Sequence, residues 1–157
     1  MGIKSFVHQN PIWRNKANFL IGAKCSDEDT ADLEWEQLWC RQVSENRFEI
    51  CCIPFFVYNL ALGDEVTTYS YLDIPYMLDQ VVKPSGHYTF RVWFNDSSDS
   101  VIRNKITSEI SRLECLIEWS SEHLLAVDAA SNEQAQELAD YLIQMEQQGY
   151  LIHETGY

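Results

Sequence analysis

From Tyr88 onward the apolar pattern of the chain switches between two periods in a fixed order, and that order restricts the topology more than any other feature. Tyr88, Phe90, Val92 and Phe94 fall on one side of an alternating run, with Thr89, Arg91 and Trp93 on the other, as in a half-buried strand. Asn95 to Ser100 is a polar loop rich in residues that cap helices. Ile102, Ile106, Ile110 and Leu113 then recur on one helical face. Cys115–Trp119 and Leu124–Ala129 read as strands around a turn at Ser120–His123, with Leu125 and Val127 inward. Ser131 and Gln134 fit a capping box, and Ala135, Leu138, Ala139, Leu142 and Met145 form a second helical stripe. Gly149 sits where that helix stops, and Tyr150–Glu154 makes a last strand. The order β, α, β, β, α, β predicts a ferredoxin-like split βαβ unit over residues 85–157, a fold that hosts many unrelated functions.

The preceding residues predict a β-rich subdomain over 1–84. Phe19–Ala23 reads as a short strand. Trp35–Val43 alternates, Ser44-Glu45-Asn46-Arg47 signals a turn, and Phe48–Ile53 is a β-favouring run that Pro54 ends, because proline has no N–H for the ladder. Phe55–Leu62 is apolar, Gly63-Asp64 is a turn, and Glu65–Tyr71 is again rich in β-branched and aromatic residues. Short strands at this spacing suggest a small antiparallel barrel or sheet, giving an α+β chain. Leu72–Lys83, bracketed by Pro75 and Pro84, reads as a linker or a single helical turn. The first eighteen residues carry no assignable pattern.

The charge distribution narrows the possible partners. The net charge is −13, from 24 acids against 11 bases, and no Lys or Arg follows Arg112. Such a balance repels phosphate backbones. RNA-recognition modules share the β, α, β, β, α, β order but need aromatics flanked by bases on the open sheet face. Here Trp93 would sit among the outward positions Glu118 and Asp128, a setting for a protein partner, since a buried Trp anchors interfaces. Two acidic surfaces are the partner-binding candidates. One is the loop with Asp27, Glu28, Asp29 and Asp32, continuing through Glu34 and Glu36; the other is the helical stripe Glu133, Glu137 and Asp140.

Enzyme chemistry has little to build on. None of the local motifs for a serine nucleophile, a zinc protease, a P-loop or a dinucleotide fold occurs, and the cation-loop pattern fails at Asp27–Asp32 for want of its glycine and terminal glutamate. The five cysteines, Cys25, Cys40, Cys51, Cys52 and Cys115, form no C-x-x-C and read as reduced, mostly buried thiols of a cytoplasmic protein. No catalytic, cofactor or metal residue is assigned. No stretch reaches the roughly 20 apolar residues of a membrane span, and no signal peptide is visible.

The segment from Leu38 to Val66, LWCRQVSENRFEICCIPFFVYNLALGDEV, carries a further clue. It resembles the core signature of a bacterial family catalogued as a domain of unknown function, through Leu38, Trp39, Phe48, Ile50, Ile53, Pro54, Phe55, Phe56, Leu62, Gly63, Asp64 and Val66. Some members of that family are thought to be immunity proteins against secreted toxins. The resemblance therefore implies a small interaction protein, monomeric or weakly dimeric, that binds a cognate protein toxin and neither nucleic acid nor membrane. A basic nuclease-type toxin would suit the acidic surfaces. The alternatives are a small-molecule-sensing regulatory domain and a hydrolase using carboxylates with His87 or His123.

Overall fold

The alternating segment around Trp35 becomes the spine of the first sheet. The computed structural model describes residues 4–25, 34–96 and 99–155. Strand β3 (Glu34–Ser44) buries Glu36, Leu38 and Cys40 on one face and leaves Trp35 and Trp39 half-covered on the other. It pairs antiparallel with β2 (Phe19–Lys24) and β4 (Arg47–Ile50), and parallel, through Glu34–Glu36, with the short β1 (Lys4–Phe6). Strands β5 (Glu65–Tyr71) and β6 (Ile74–Lys83) form a hairpin between β4 and β2. Because β4 returns to β3, five strands close into a barrel in the order β3, β2, β6, β5, β4, with β1 added outside.

Two expectations change here. Leu72–Lys83 is neither linker nor helical turn but the hairpin turn and strand β6, one of the longest strands described. The apolar signal was masked because this strand shows most of its side chains to solvent. The barrel is also not wholly antiparallel, since β2 meets β6 in parallel at the single pair Gly22 and Met77. Gly22 is required at that seam: a Cβ there would lie 2.9 Å from the Trp35 ring. Ile21, Ala23, Leu38, Cys40, Phe48, Ile50 and Val66 fill the interior.

The second sheet contains β7 (Tyr88–Phe94), β8 (Leu116–Trp119), β9 (Leu124–Ala129) and β10 (Leu151–Thr155), in the order β10-β7-β9-β8, all neighbours antiparallel. Helix α1 (Ser100–Arg112) begins at Asp99, whose side chain accepts from the Ile102 N–H. Helix α2 (Asn132–Gln147) begins at Ser131, which accepts from the Gln134 N–H, while the Gln134 side chain accepts from the Ala130 N–H. Ile106 and Ile110 of α1 and Leu138 and Leu142 of α2 close over Phe90, Val92, Phe94, Leu125 and Val127. Each such buried aliphatic side chain contributes roughly 2 kcal/mol by removal from water. No helix among the described residues is long and apolar enough to cross a membrane.

The sheet's other face is covered as well. The segment from Cys51 to Leu62 runs without strand structure between barrel and sheet, and Ile53 and Phe55 pack there against Ala126. This double covering explains why all six residues of β9 are buried, and not Leu125 and Val127 alone.

Candidate functional site

A segment with no ladder partners must satisfy its backbone some other way if it is buried. Ile53–Val57 does so with three charged side chains. Glu36, at the end of the β3 face that carries Leu38 and Cys40, accepts from the Phe55 N–H (2.8 Å), the Phe56 N–H (2.9 Å) and the Val57 N–H (3.2 Å). Glu118, on β8 of the second sheet, accepts from the Ile53 N–H at 2.5 Å and the Ile12 N–H at 3.3 Å. Arg91, on β7, donates to the carbonyls of Phe55 and Val57.

His8 joins the two carboxylates. Its Nε2 lies 2.5 Å from Glu36 Oε2 and its Nδ1 2.8 Å from Glu118 Oε1, and its ring stacks on Phe55 at 3.9 Å between centroids. Burial favours the neutral ring, but neighbouring Cys52, Glu118 and Glu36 outweigh it and push His8 up to about 12. Burial raises the Cys52 thiol while His8 pulls it the other way, and the two carboxylates at hydrogen-bond distance balance the imidazolium. Burial pulls Arg91 below the usual guanidinium range, against Glu36 and Glu154, and a guanidinium keeps its charge regardless. Two cations and two anions thus stand together with almost no exposure, and their formal charges cancel. The cluster locks one layer onto the other. None of the clefts described below opens onto His8 or Glu118.

Two further buried acids fix the turns on either side. Asp64 accepts from the Ala61 N–H (3.0 Å) and the Ser85 N–H (2.7 Å), beside Gly63 at φ +86°. Asp128 meets His87 Nδ1 at 2.9 Å, and burial, partly offset by His87, raises its carboxyl to about 6.

The sequence-predicted partner residues separate into four groups. Asp27, Glu28, Asp29 and Asp32 lie outside the described residues. Glu118 and Asp128 were expected on an outward face; they are 4% and 1% exposed, because the Cys51–Leu62 segment covers that face. Glu36, expected in the acidic loop, is likewise fully buried. Glu133, Glu137 and Asp140 are exposed along α2 as expected, with Arg112 of α1 near enough to Glu137 to feel its charge. Trp93 is half-buried, beside Ile152 at the sheet's end.

Sequence reasoning missed His8 and the role of Arg91. The available signal was a lone His in an unassigned segment, together with a basic residue inside an otherwise apolar strand.

Outside the cluster, a cleft of about 520 Å³ opens beside the barrel, lined by Lys24, Tyr58, Asn59, Tyr69 and Asp79 among others. Smaller hollows lie between the helices at Ile102, Tyr141 and Met145, beside Trp119 at the start of α1, and at the sheet end around Trp93.

A family model described as "Domain of unknown function (DUF4265)" matches residues 36–152. No curated protein matches the chain. Among solved structures the chain is similar to one described as a novel crystal structure of a hypothetical protein from Neisseria gonorrhoeae. The two are 21% identical with a TM-score of 0.72, over 87% of this chain and 92% of that one, a likeness that shows the fold alone.

Proposed function

Taking as premise that the chain belongs to the family of the DUF4265 domain of unknown function, we propose that it is a toxin-neutralising immunity protein. It binds a basic protein toxin, of nuclease type, through its acidic surface and acts in the cytoplasm. The observation that carries this reading is the exposed stripe Glu133, Glu137 and Asp140 on a unit with no Lys or Arg after Arg112. A field of one sign steers a basic partner and raises the association rate. A fold held by a neutral, buried charge cluster suits a binding surface that must not rearrange.

Two finer readings belong with this proposal. The helical unit is ferredoxin-like: its strand order, fourth-first-third-second, supports that assignment beside the element order. The run from Leu38 to Val66 is the family signature, and its Ile53-Pro54-Phe55-Phe56 and Gly63-Asp64 positions coincide with the clamped segment and the Asp64 turn.

The test is titration with the protein encoded beside this chain's gene, purified with its active site silenced. A complex at low salt should form, weaken steeply as salt rises, and lose about tenfold or more in affinity when Glu133, Glu137 and Asp140 are all changed to Lys. A complex indifferent to both, or none at all, sinks the proposal. The second reading, a small-molecule sensor, is favoured by the cleft beside Tyr58 and Tyr69; a ligand-dependent rise in melting temperature without a protein partner would support it.

A further inference from the structure

We infer that the Trp93–Ile152 row at the outer end of the second sheet is the apolar anchor on which a basic protein partner docks. This rests on the protein-binding reading above and adds an apolar contact to the acidic surface named there.

The sheet register places the row. Ile152 lies opposite Trp93, and Trp93 opposite Leu124, so the three cross one face. The next row holds Glu154, Arg91, Ala126 and Glu118, and the one after it Thr89, Asp128 and Leu116. Both inner rows are roofed: Arg91 bonds the Phe55 and Val57 carbonyls, and Thr89 bonds the Leu60 carbonyl at 3.0 Å. The Trp93 row projects past that roof. Ile152 is 58% exposed there, in a shallow hollow shared with Trp93, Asn95, Asp96 and Glu154. Tyr58 flanks it, 53% exposed, lying over the Arg91 guanidinium and donating to Glu154 Oε1 at 2.6 Å. An aromatic beside an aliphatic, surrounded by polar groups, is the composition of an interface centre.

Charge selects the occupant. Glu154 and the fully exposed Asp96 rim the hollow; Arg91, the guanidinium on this face, is 1% exposed and engaged, and the His123 ring stands 3.9 Å from Asp96. A second copy of the chain would bring like charges together at −13 each. Addition of a partner strand at the β10 edge is obstructed, because the His153 N–H already donates to Glu146 Oε1 at 2.8 Å. What fits is a folded basic protein that sets an apolar side chain on Ile152 and Trp93 and its cations against Glu154 and Asp96.

The experiment uses the same silenced neighbour protein with Trp93→Ala, Trp93→Phe, Ile152→Lys and, as control, Val43→Lys at an exposed position of β3 on the barrel. Trp93→Ala and Ile152→Lys should each weaken binding about thirtyfold or more, with Trp93→Phe much milder and Val43→Lys unchanged. Melting temperatures report folding, and Ile152→Lys, at a largely exposed position, keeps the test valid if Trp93→Ala unfolds. Wild-type affinity in both variants overturns this inference and leaves the immunity reading standing. Absence of any complex with the unaltered chain overturns the reading and this inference with it. A dimer of the chain alone, dispersed by Ile152→Lys, assigns the face to self-association and also overturns it.

Discussion

His8 and Glu118 are 110 residues apart in the chain and 2.8 Å apart in the fold. The bond ties the segment after β1 to the second sheet, and the other ring nitrogen of His8 reaches Glu36 on the barrel. One imidazole therefore connects both layers, and the carboxylates it joins are the ones that hold the backbone of Ile53–Val57. The relative placement of barrel and sheet depends on this cluster as well as on apolar contact, since among the described residues the buried apolar centre between them is small: Ile53, Phe55 and Ala126, with Ile12, Phe56 and Leu116 packed against it.

Removing one member leaves the others uncompensated. Glu118→Gln keeps the shape but strands the His8 charge, and should cost about 3 kcal/mol or more in urea unfolding. In a double-mutant cycle with His8→Gln the two changes should couple by more than about 1 kcal/mol. Additive losses would mean that the two side chains do not act together.

Asp128 gives a pH dependence of defined sign. Burial raises its folded value to about 6, above the 3.8 of an ordinary Asp, so the folded state holds this proton more tightly than the unfolded state. Its contribution is fully present below 3.8 and is lost as pH rises through 6. Relative to Asp128→Asn, which does not titrate, the unaltered chain should lose on the order of 2 kcal/mol between about pH 4 and pH 7. Denaturant midpoints across that range measure it, and a gain with rising pH would reverse the assignment.

All five thiols are free, and burial raises each one, Cys25 to about 12 and Cys51 and Cys115 to about 11. A thiol reagent at mildly alkaline pH should therefore label the folded chain slowly at every cysteine, with Cys25, the least buried, leading, and should label all five quickly after unfolding. Rapid labelling of Cys51 or Cys52 in the native state would contradict the burial described.

Much of this architecture was legible in the sequence where periodicity is strong. The Ile102–Leu113 and Ala135–Met145 stripes became helices, and the Ser131 cap formed as written. Strand β6 was not legible, because most of its side chains face solvent and Pro75 interrupts the pattern. The candidate site was read least well. Glu36, Glu118 and Asp128 look like solvated acids in a sequence; what buries them is a segment from Cys51 to Leu62 whose position no local pattern encodes. His8 lies in a segment with no periodicity at all, and its role exists only through partners 28 and 110 residues away.

The central claim is that a charged imidazole bridges the two layers, and the nitrogen shifts of the His8 ring test it most directly. The folded value of about 12 lies above the ordinary 6.5, so the stabilisation it brings is complete below pH 6.5 and declines only as pH rises toward 12. In a chain labelled with nitrogen-15 at histidine, the His8 ring should show two protonated nitrogens at about pH 9, where an unperturbed imidazole is neutral. A ring that titrates near 6.5, or a neutral tautomer at about pH 9, would contradict the claim.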